Sequence, residues 1–302
     1  MGEKTAKLLE KRDSGDYGAA ELAVLAAAFR LEMFDVLHQR GTGHWGGASS
    51  AAEIVSALYF RRLRIDPKNP QWEDRDRFIL SKGHASINLY TVLAHRGYFP
   101  PEELPKFRTL GSRLQGHPNM KLLPGVDFST GALGHGLSAG AGMALAAAQK
   151  GKSWNTYVLA GEGCLDEGQT WEALLFAAKY RPRGLVLLID NNRVQLDGDV
   201  ADILPLDPIP DKLRAFGWNL APRVYDGNDT ASVLESFDWL DARENGGFEV
   251  WPKAVIYSTV KARGVSFMEG KALWHGAPID KESYDKGRPE LLADLEAKEA
   301  TL

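Results

Sequence analysis

The residues best suited to chemistry stand at the ends of two apolar runs. Gly161-Glu162-Gly163 closes one run, and thirty residues on Asn191-Asn192-Arg193-Val194 closes the next. Glycines at such a turn let the backbone approach a phosphate group with no Cβ in the way. Glu162 offers a carboxylate oxygen, Asn192 a neutral amide oxygen, and the turn a backbone carbonyl. Hard oxygen donors of this kind beside a diphosphate suit Mg²⁺. Either turn alone reads as ordinary, one as a tight corner and the other as a capped bend. Their pairing at adjacent strand ends, one crossover apart, is what points to a ligand site.

Seven histidines are present. A histidine taken alone is more often structural or solvent-facing than catalytic. His44, His84, His117 and His275 stand in loops beside Gly or Pro. His38 and His95, near helix ends, are expected to cap a helix or face solvent. His135, at a Gly-rich helix start, is expected to be structural. Gly131, Gly134 and Gly136 approximate a dinucleotide-loop spacing but lack the strand that such a loop follows. Small residues at 136, 139, 140 and 144 are better explained by a helix packing closely against a partner.

The elements that must position these residues follow from periodicity. Strands are expected over Arg77–Leu80, Thr156–Ala160, Leu185–Asp190, Ala221–Tyr225 and Ala254–Thr259. The run Leu185 to Ile189 is continuous rather than alternating, as in a parallel strand covered on both faces. Helices are expected over Tyr17–Gln39, Ala51–Arg62, Ala85–His95, Leu137–Gln149, Thr170–Tyr180 and Thr230–Asn245. This alternation predicts an α/β fold, a doubly wound, mostly parallel sheet with helices on both faces. The expected organisation is an N-terminal extension over 1–16, a ligand-binding domain over 17–279 and a polar helical tail over 280–302.

Composition narrows the function classes. With 302 residues and 44% hydrophobic content, a sizeable core is available without staples. A net charge of −4 gives no footprint for nucleic acid or an anionic membrane surface. The single Cys164 excludes a disulfide scaffold and favours the cytoplasm. The polar segment Met1 to Ser14 lacks the apolar run of a signal peptide, and Ala6 stands where a myristoylation site needs Ser or Thr. Ala132 to Ala148 is too short and too weakly apolar to span a bilayer.

The Glu162 and Asn192 turns resemble the thiamine-diphosphate fingerprint, in which Gly-Asp-Gly is followed about thirty residues later by an Asn-containing strand end. More narrowly, the chain resembles the N-terminal half of transketolase from about Ala19 to about Ile279. Gly43-His44-Trp45-Gly46-Gly47, followed by Ser50 to Ile54, is similar to the family's Gly-His-Pro loop. Asp76 to His84, Gly116-His117-Pro118, Thr130 to Gly134 and Trp274-His275-Gly276 are close to its other motifs.

The resemblance implies metal ligation by the side chains of Glu162 and Asn192 and the carbonyl of Val194. It places Gly161 and Gly163 at the diphosphate and Gly131 and Leu133 against the cofactor. His84 and His275 would lie near the diphosphate, Lys82 and Lys261 would hold the surrounding loops, and Lys261 would help bind the cofactor. His44 and His117 would face the sugar, and Glu167 and Glu172 would lie at a subunit interface. Together His44, His84, His117 and His275 form the expected catalytic set. Two departures stand out. Glu162 replaces Asp, adding about 1.5 Å of reach, which could favour an ion larger than Mg²⁺, such as Ca²⁺ or Mn²⁺. Trp45 replaces Pro, which could reshape the donor pocket.

In the family, the acidic residue that activates the cofactor comes from a second domain that has no counterpart here. The resemblance therefore implies one subunit of a split transketolase, paired with a C-terminal subunit in a heterotetramer of two copies of each chain. It would move a two-carbon ketol unit from a ketose or ketose phosphate to an aldose, with His44 or His275 taking the C3 hydroxyl proton. Histidine's unperturbed pKa of about 6.5 suits that work. Two other classes share part of the pattern: the diphosphate-binding chain of a 2-oxoacid dehydrogenase, and a non-catalytic homologue that scaffolds a partner. The first does not need the motifs around His44, His84 and His117; Glu162 is the residue that lends weight to the second.

Overall fold

The apolar runs line up side by side in one sheet, and their order brings the two chemical turns together. The computed structural model describes residues 2–242 and 251–302. The helices in chain order are α1 (Glu3–Glu10), α2 (Ala19–Arg40), α3 (Trp45–Ser50), α4 (Ala52–Ala57), α5 (Ser86–Arg96), α6 (His135–Gln149), α7 (Glu162–Leu165), α8 (Gly168–Tyr180), α9 (Val200–Ile203), α10 (Ile209–Ala215), α11 (Thr230–Asp241) and α12 (Lys281–Ala300). The strands are β1 (Arg77–Leu80), β2 (Thr156–Gly161), β3 (Leu185–Asn191), β4 (Asn219–Leu220), β5 (Tyr225–Asp226) and β6 (Lys253–Ser258). They form a six-stranded sheet in the order β1-β2-β3-β6-β4, with β5 also paired to β6. Every one of these pairings is parallel.

Both faces of the sheet are covered, which is why β3 is apolar throughout Leu185 to Ile189. Val186 and Leu188 join an apolar cluster with residues of α2, α4, α5 and α11. Leu185, Leu187 and Ile189 join the opposite cluster with residues of α6, α8 and α10. Each fully buried side chain of this size contributes about 1.5–3 kcal/mol. The small-residue row of α6 packs against the chain's own sheet. A Cβ on Gly140 would come within 2.4 Å of Val158 Cγ2, so only glycine allows α6 to lie so close to β2.

Three local expectations give way. The strand expected over Ala221–Tyr225 is instead two short strands on either side of Pro222, which has no N–H to extend a ladder. β4 therefore pairs with Lys253 and Ala254, and β5 with Tyr257 and Ser258. The helix expected to reach Asn245 ends as α11 at Asp241, and residues 243–245 lie outside the described residues. His95 and His38 are neither caps nor solvent-facing: His95 Nε2 meets Glu32 Oε2 at 2.6 Å, and His38 Nδ1 donates to the Ile279 carbonyl at 2.8 Å while its ring stacks on Tyr284.

At the chain ends, α12 packs along α2 and buries Leu291 and Leu295. Glu299, near its end, accepts hydrogen bonds from the backbone N–H and hydroxyl of Thr5 in α1 at 3.1 and 2.6 Å. Cys164 is a buried free thiol. Among the described residues no helix is long and apolar enough to cross a membrane.

Candidate active site

The C-terminal ends of β1, β2, β3 and β6 open onto one cavity of about 180 Å³. β1 delivers Lys82 and His84, β2 delivers Glu162 and Gly163, β3 delivers Asn192 and Val194, and β6 delivers Lys261. Gly161 pairs with Asp190, so Glu162 and the Asn192 turn leave the sheet at the same level. Gly47, Leu133 and His275 complete much of the wall. A larger hollow of about 460 Å³ lies at the opposite strand ends, beside Trp154 and Gly184, and none of the motif residues lines it.

The four motif histidines come together. Measured between ring centroids, His44 lies 5.4 Å from His84, 5.5 Å from His275 and 6.1 Å from His117. His84 and His275 are 4.8 Å apart. Gly47 makes room for this group, since a Cβ there would sit 3.1 Å from His84 Nε2. Burial, helped by the charges of Arg108 and its neighbours, pulls His44 down to about 4. Burial and the Lys261 ammonium pull His275 to about 3. Burial and Lys82 hold His84 well below its ordinary value, and partial burial with Arg108 lowers His117. The rings are therefore neutral near pH 7, and each can both accept and donate.

Three oxygen-bearing groups at the cavity, one side-chain carboxyl, one side-chain amide and one backbone carbonyl, are each only partly used as acceptors. Glu162 is almost fully buried; its Oε2 accepts from the Arg193 N–H, while Oε1 has no partner. Asn192 Oδ1 accepts from the Val194 N–H at 3.2 Å. The Val194 carbonyl accepts from Lys261 Nζ at 2.9 Å. Burial, reinforced by Asp190, raises Glu162 to about 7 despite the Arg193 N–H. A carboxylate left half-paired and costly to ionise is what a cation would relieve. The donor set thus fits a hard divalent ion. One Glu162 oxygen is anchored to the Arg193 backbone.

The two lysines are committed elsewhere. Lys82 forms a wholly buried ion pair with Asp190, which also accepts from the hydroxyls of Ser50 and Thr259. Burial alone would raise Asp190, but Lys82 and these hydroxyls hold it below the ordinary carboxylate range. Lys261 Nζ reaches the Val194 and Gln195 carbonyls and His275 Nδ1. Burial and the charge of Lys82 lower Lys261 to about 8.

Of the other motif residues, Gly161 and Leu133 line the cavity. Gly131 lies outside its wall, against the His117 ring. Trp45 does not shape a pocket: its ring is buried against Phe34 of α2, centroids 5.0 Å apart. Glu167 and Glu172 are exposed at the start of α8. Sequence reasoning missed Asp190 as the partner of Lys82, and it missed Arg108 beside the histidines. Asp190 ends the strand expected over Leu185–Asp190, whereas Arg108 lies in none of the motifs.

A family profile described as "Transketolase, thiamine diphosphate binding domain" matches residues 22–297. The chain belongs to the transketolase family. It is 41% identical over 266 residues to the 6-deoxy-6-sulfo-D-fructose transketolase subunit of Clostridium sp. (strain MSTE9), covering 88% of this chain and 94% of that one. It is 42% identical over 233 residues to one of the subunits of the apulose-4-phosphate transketolase of Actinobacillus succinogenes, covering 77% of this chain and 82% of that one. Among solved structures, the transketolase of Campylobacter jejuni superposes with a TM-score of 0.81 at 28% identity, over 93% of this chain but 45% of that one. The chain spans under half the length of the solved transketolases it matches, and nearly all of subunit-sized relatives. It is a transketolase subunit of the N-terminal, thiamine-diphosphate-binding kind, and the 2-oxoacid dehydrogenase alternative falls away.

Proposed function

We propose that this chain holds the diphosphate and metal of thiamine diphosphate in a two-chain transketolase that passes a two-carbon ketol unit from a ketose to an aldose. The observation that carries the proposal is one cavity bearing both half-satisfied oxygens and neutral histidines. When bound, thiamine diphosphate supplies the carbanion-stabilising centre that no side chain can provide.

The chain's own groups then have distinct tasks. Glu162, Asn192 and Val194 hold Mg²⁺, or Ca²⁺ or Mn²⁺ in its place, and the ion offsets the diphosphate charge. Gly161, Gly163, His84 and Lys261 surround the diphosphate, while Gly131 and Leu133 border the rest of the cofactor. His117, at the exposed rim, faces the sugar. His44 accepts the C3 hydroxyl proton, and His275 donates to the substrate oxygen. A C-terminal partner chain supplies the activating acid, and two copies of each chain form the assembly in the cytoplasm. The exposed Leu175 and Phe176 of α8, beside Glu167 and Glu172, give that assembly an apolar contact face.

Calorimetry of the paired chains with thiamine diphosphate and Mg²⁺, alongside a ketol-transfer assay, tests this. Saturable binding that Glu162→Ala weakens strongly, with activity only when both chains are mixed, is the expected result. Unchanged affinity in that variant, or full turnover by this chain alone, would overturn it. A stable complex that binds no cofactor would favour the scaffold.

A further inference from the structure

Lys261 stands in a turn that the rest of the fold holds from both sides. The next residue, Ala262, has φ 59°, a left-handed conformation that residues with a Cβ seldom keep unless their surroundings enforce it. The backbone donors on either side of Lys261 are both taken. The Val260 N–H donates to Asn228 Oδ1 at 2.8 Å, and the Ala262 N–H donates to the Gly46 carbonyl of α3 at 3.0 Å. Gly46 has no room for a side chain: a Cβ there would come within 2.8 Å of the Trp274 carbonyl and 3.0 Å of the Lys261 stem. α3 therefore lies directly on the residues that carry Lys261 and His275, and its N-cap residue is His44.

With six residues, α3 is too short to be stable by itself. Side chains from three other parts of the fold hold its last carbonyls. Asn88 Nδ2 of α5 donates to the Ala48 carbonyl at 2.8 Å, Arg30 Nη2 of α2 to that of Ser49 at 3.0 Å, and Asn228 Nδ2 to that of Ser50 at 2.9 Å. Asn228 Nδ2 also reaches Glu53 Oε2 at 3.2 Å, on a carboxylate buried in an ion pair with Arg30. Val260 offers an N–H, whereas Ser50 and Glu53 offer acceptors, so these partners fix which way the Asn228 amide points. The Asn228 loop is seated just as tightly. The Gly227 N–H donates to the Ser258 carbonyl at 2.8 Å, and a Cβ on Gly227 would come within 2.5 Å of Thr259 Cγ2. One amide thus links the turn bearing Lys261 to the helix that begins at His44.

We propose that Asn228, which stands outside the cavity wall, is a positioning residue for ketol transfer. Its amide keeps the Lys261 turn in register with α3, and so holds His275 and His44 in their mutual geometry, ring centroids 5.5 Å apart. The ketol-transfer role rests on the function proposed above, whereas the coupling of Asn228 to His275 does not. Ring-¹⁵N spectra of the full chain near neutral pH read the contact of Lys261 with His275 Nδ1, because losing that donor frees the ring proton to move between the two nitrogens. Asn228→Ala should mix the His275 tautomers. In the complex with the partner chain it should lower kcat by about tenfold or more at saturating cofactor, with donor KM changed by no more than about threefold. Asn228→Asp keeps the acceptor for Val260 but loses the donations to Ser50 and Glu53, so it should retain the His275 tautomer and still lose kcat. Asp229→Ala controls for stability alone. Asp229 caps α11 in the same loop by accepting from the Ala231 and Ser232 N–H groups, and its loss should lower the melting temperature and leave both readouts unchanged. A folded Asn228→Ala chain with an unaltered His275 signal would overturn the proposal, as would an Asp229→Ala chain that moves both readouts equally. If Asn228→Ala does not fold, Asn228→Asp decides by the same kcat criterion. A His275 change in a complex that carries out no ketol transfer would uphold the coupling and refute only the assigned reaction.

Discussion

Lys261 Nζ lies 2.9 Å from His275 Nδ1, and its other contacts are the carbonyls of Val194 and Gln195 at 2.9 and 3.0 Å. An ammonium has three donors and no acceptor, so this set uses every proton it has. His275 must then accept on Nδ1 and carry its own proton on Nε2. That makes His275 a donor toward the cavity, in keeping with the proposed role of His44 as the proton acceptor. In ring-¹⁵N spectra of the full chain near neutral pH, His275 should show a protonated Nε2 and a bare Nδ1. Lys261→Met should mix the two tautomers, and a protonated Nδ1 in the unaltered chain would contradict the assignment.

Glu162 is a case of stability given up for a site. Its folded pKa of about 7 exceeds the ordinary carboxylate value, so between about 4.5 and 7 the folded state binds more protons than the unfolded one. Its contribution is therefore complete at low pH and lost as pH rises to about 7, amounting to roughly 3 kcal/mol. Glu162→Gln should raise the melting temperature of the metal-free chain at pH 8 and remove the further rise that Mg²⁺ with thiamine diphosphate brings. Thermal melts with and without both ligands measure this.

The buried histidines act with the opposite sign. His44 titrates at about 4 in the folded chain, against about 6.5 unfolded. The unfolded state binds more protons in that window, so stability is full above about 6.5 and falls as pH drops toward 4. His44 alone accounts for roughly 3 kcal/mol of this. Urea titrations at stepped pH should show the loss, and His44→Gln should flatten it. Glu162→Gln should steepen it, because an opposing slope has been removed.

Lys82 and Asp190 join the ends of β1 and β3, with Ser50 and Thr259 tied to the same carboxylate. Asp190→Asn strands a buried ammonium, which should cost about 3–5 kcal/mol. Pairing it with Lys82→Met should recover much of that loss. The urea midpoints of the two variants decide the point; equal midpoints would mean that the pair is not coupled.

Much of this arrangement could be read directly from residue types. Gly161-Glu162-Gly163 and the Asn192 turn sit at strand ends because apolar runs end there, and the runs locate the strands whatever packs against them. Pro222 was also visible, yet its effect was not, since a proline breaks a strand only where a neighbour needs its N–H. The small residues of α6 signalled close packing without naming the partner, which proved to be β2. Arg108 carried no signal at all; its influence on His117 and His44 comes from where the folded loop sets its charge.

The order of residues along the chain determined which groups could reach a diphosphate and a metal, because strand ends and glycine turns are local properties. The tertiary structure decided which of those groups are charged, which are already occupied and which are free. Those outcomes depend on burial and on partners distant in sequence, such as Asp190 for Lys82 and His275 for Lys261. Such pairings exist only once the crossovers have set four strand ends side by side.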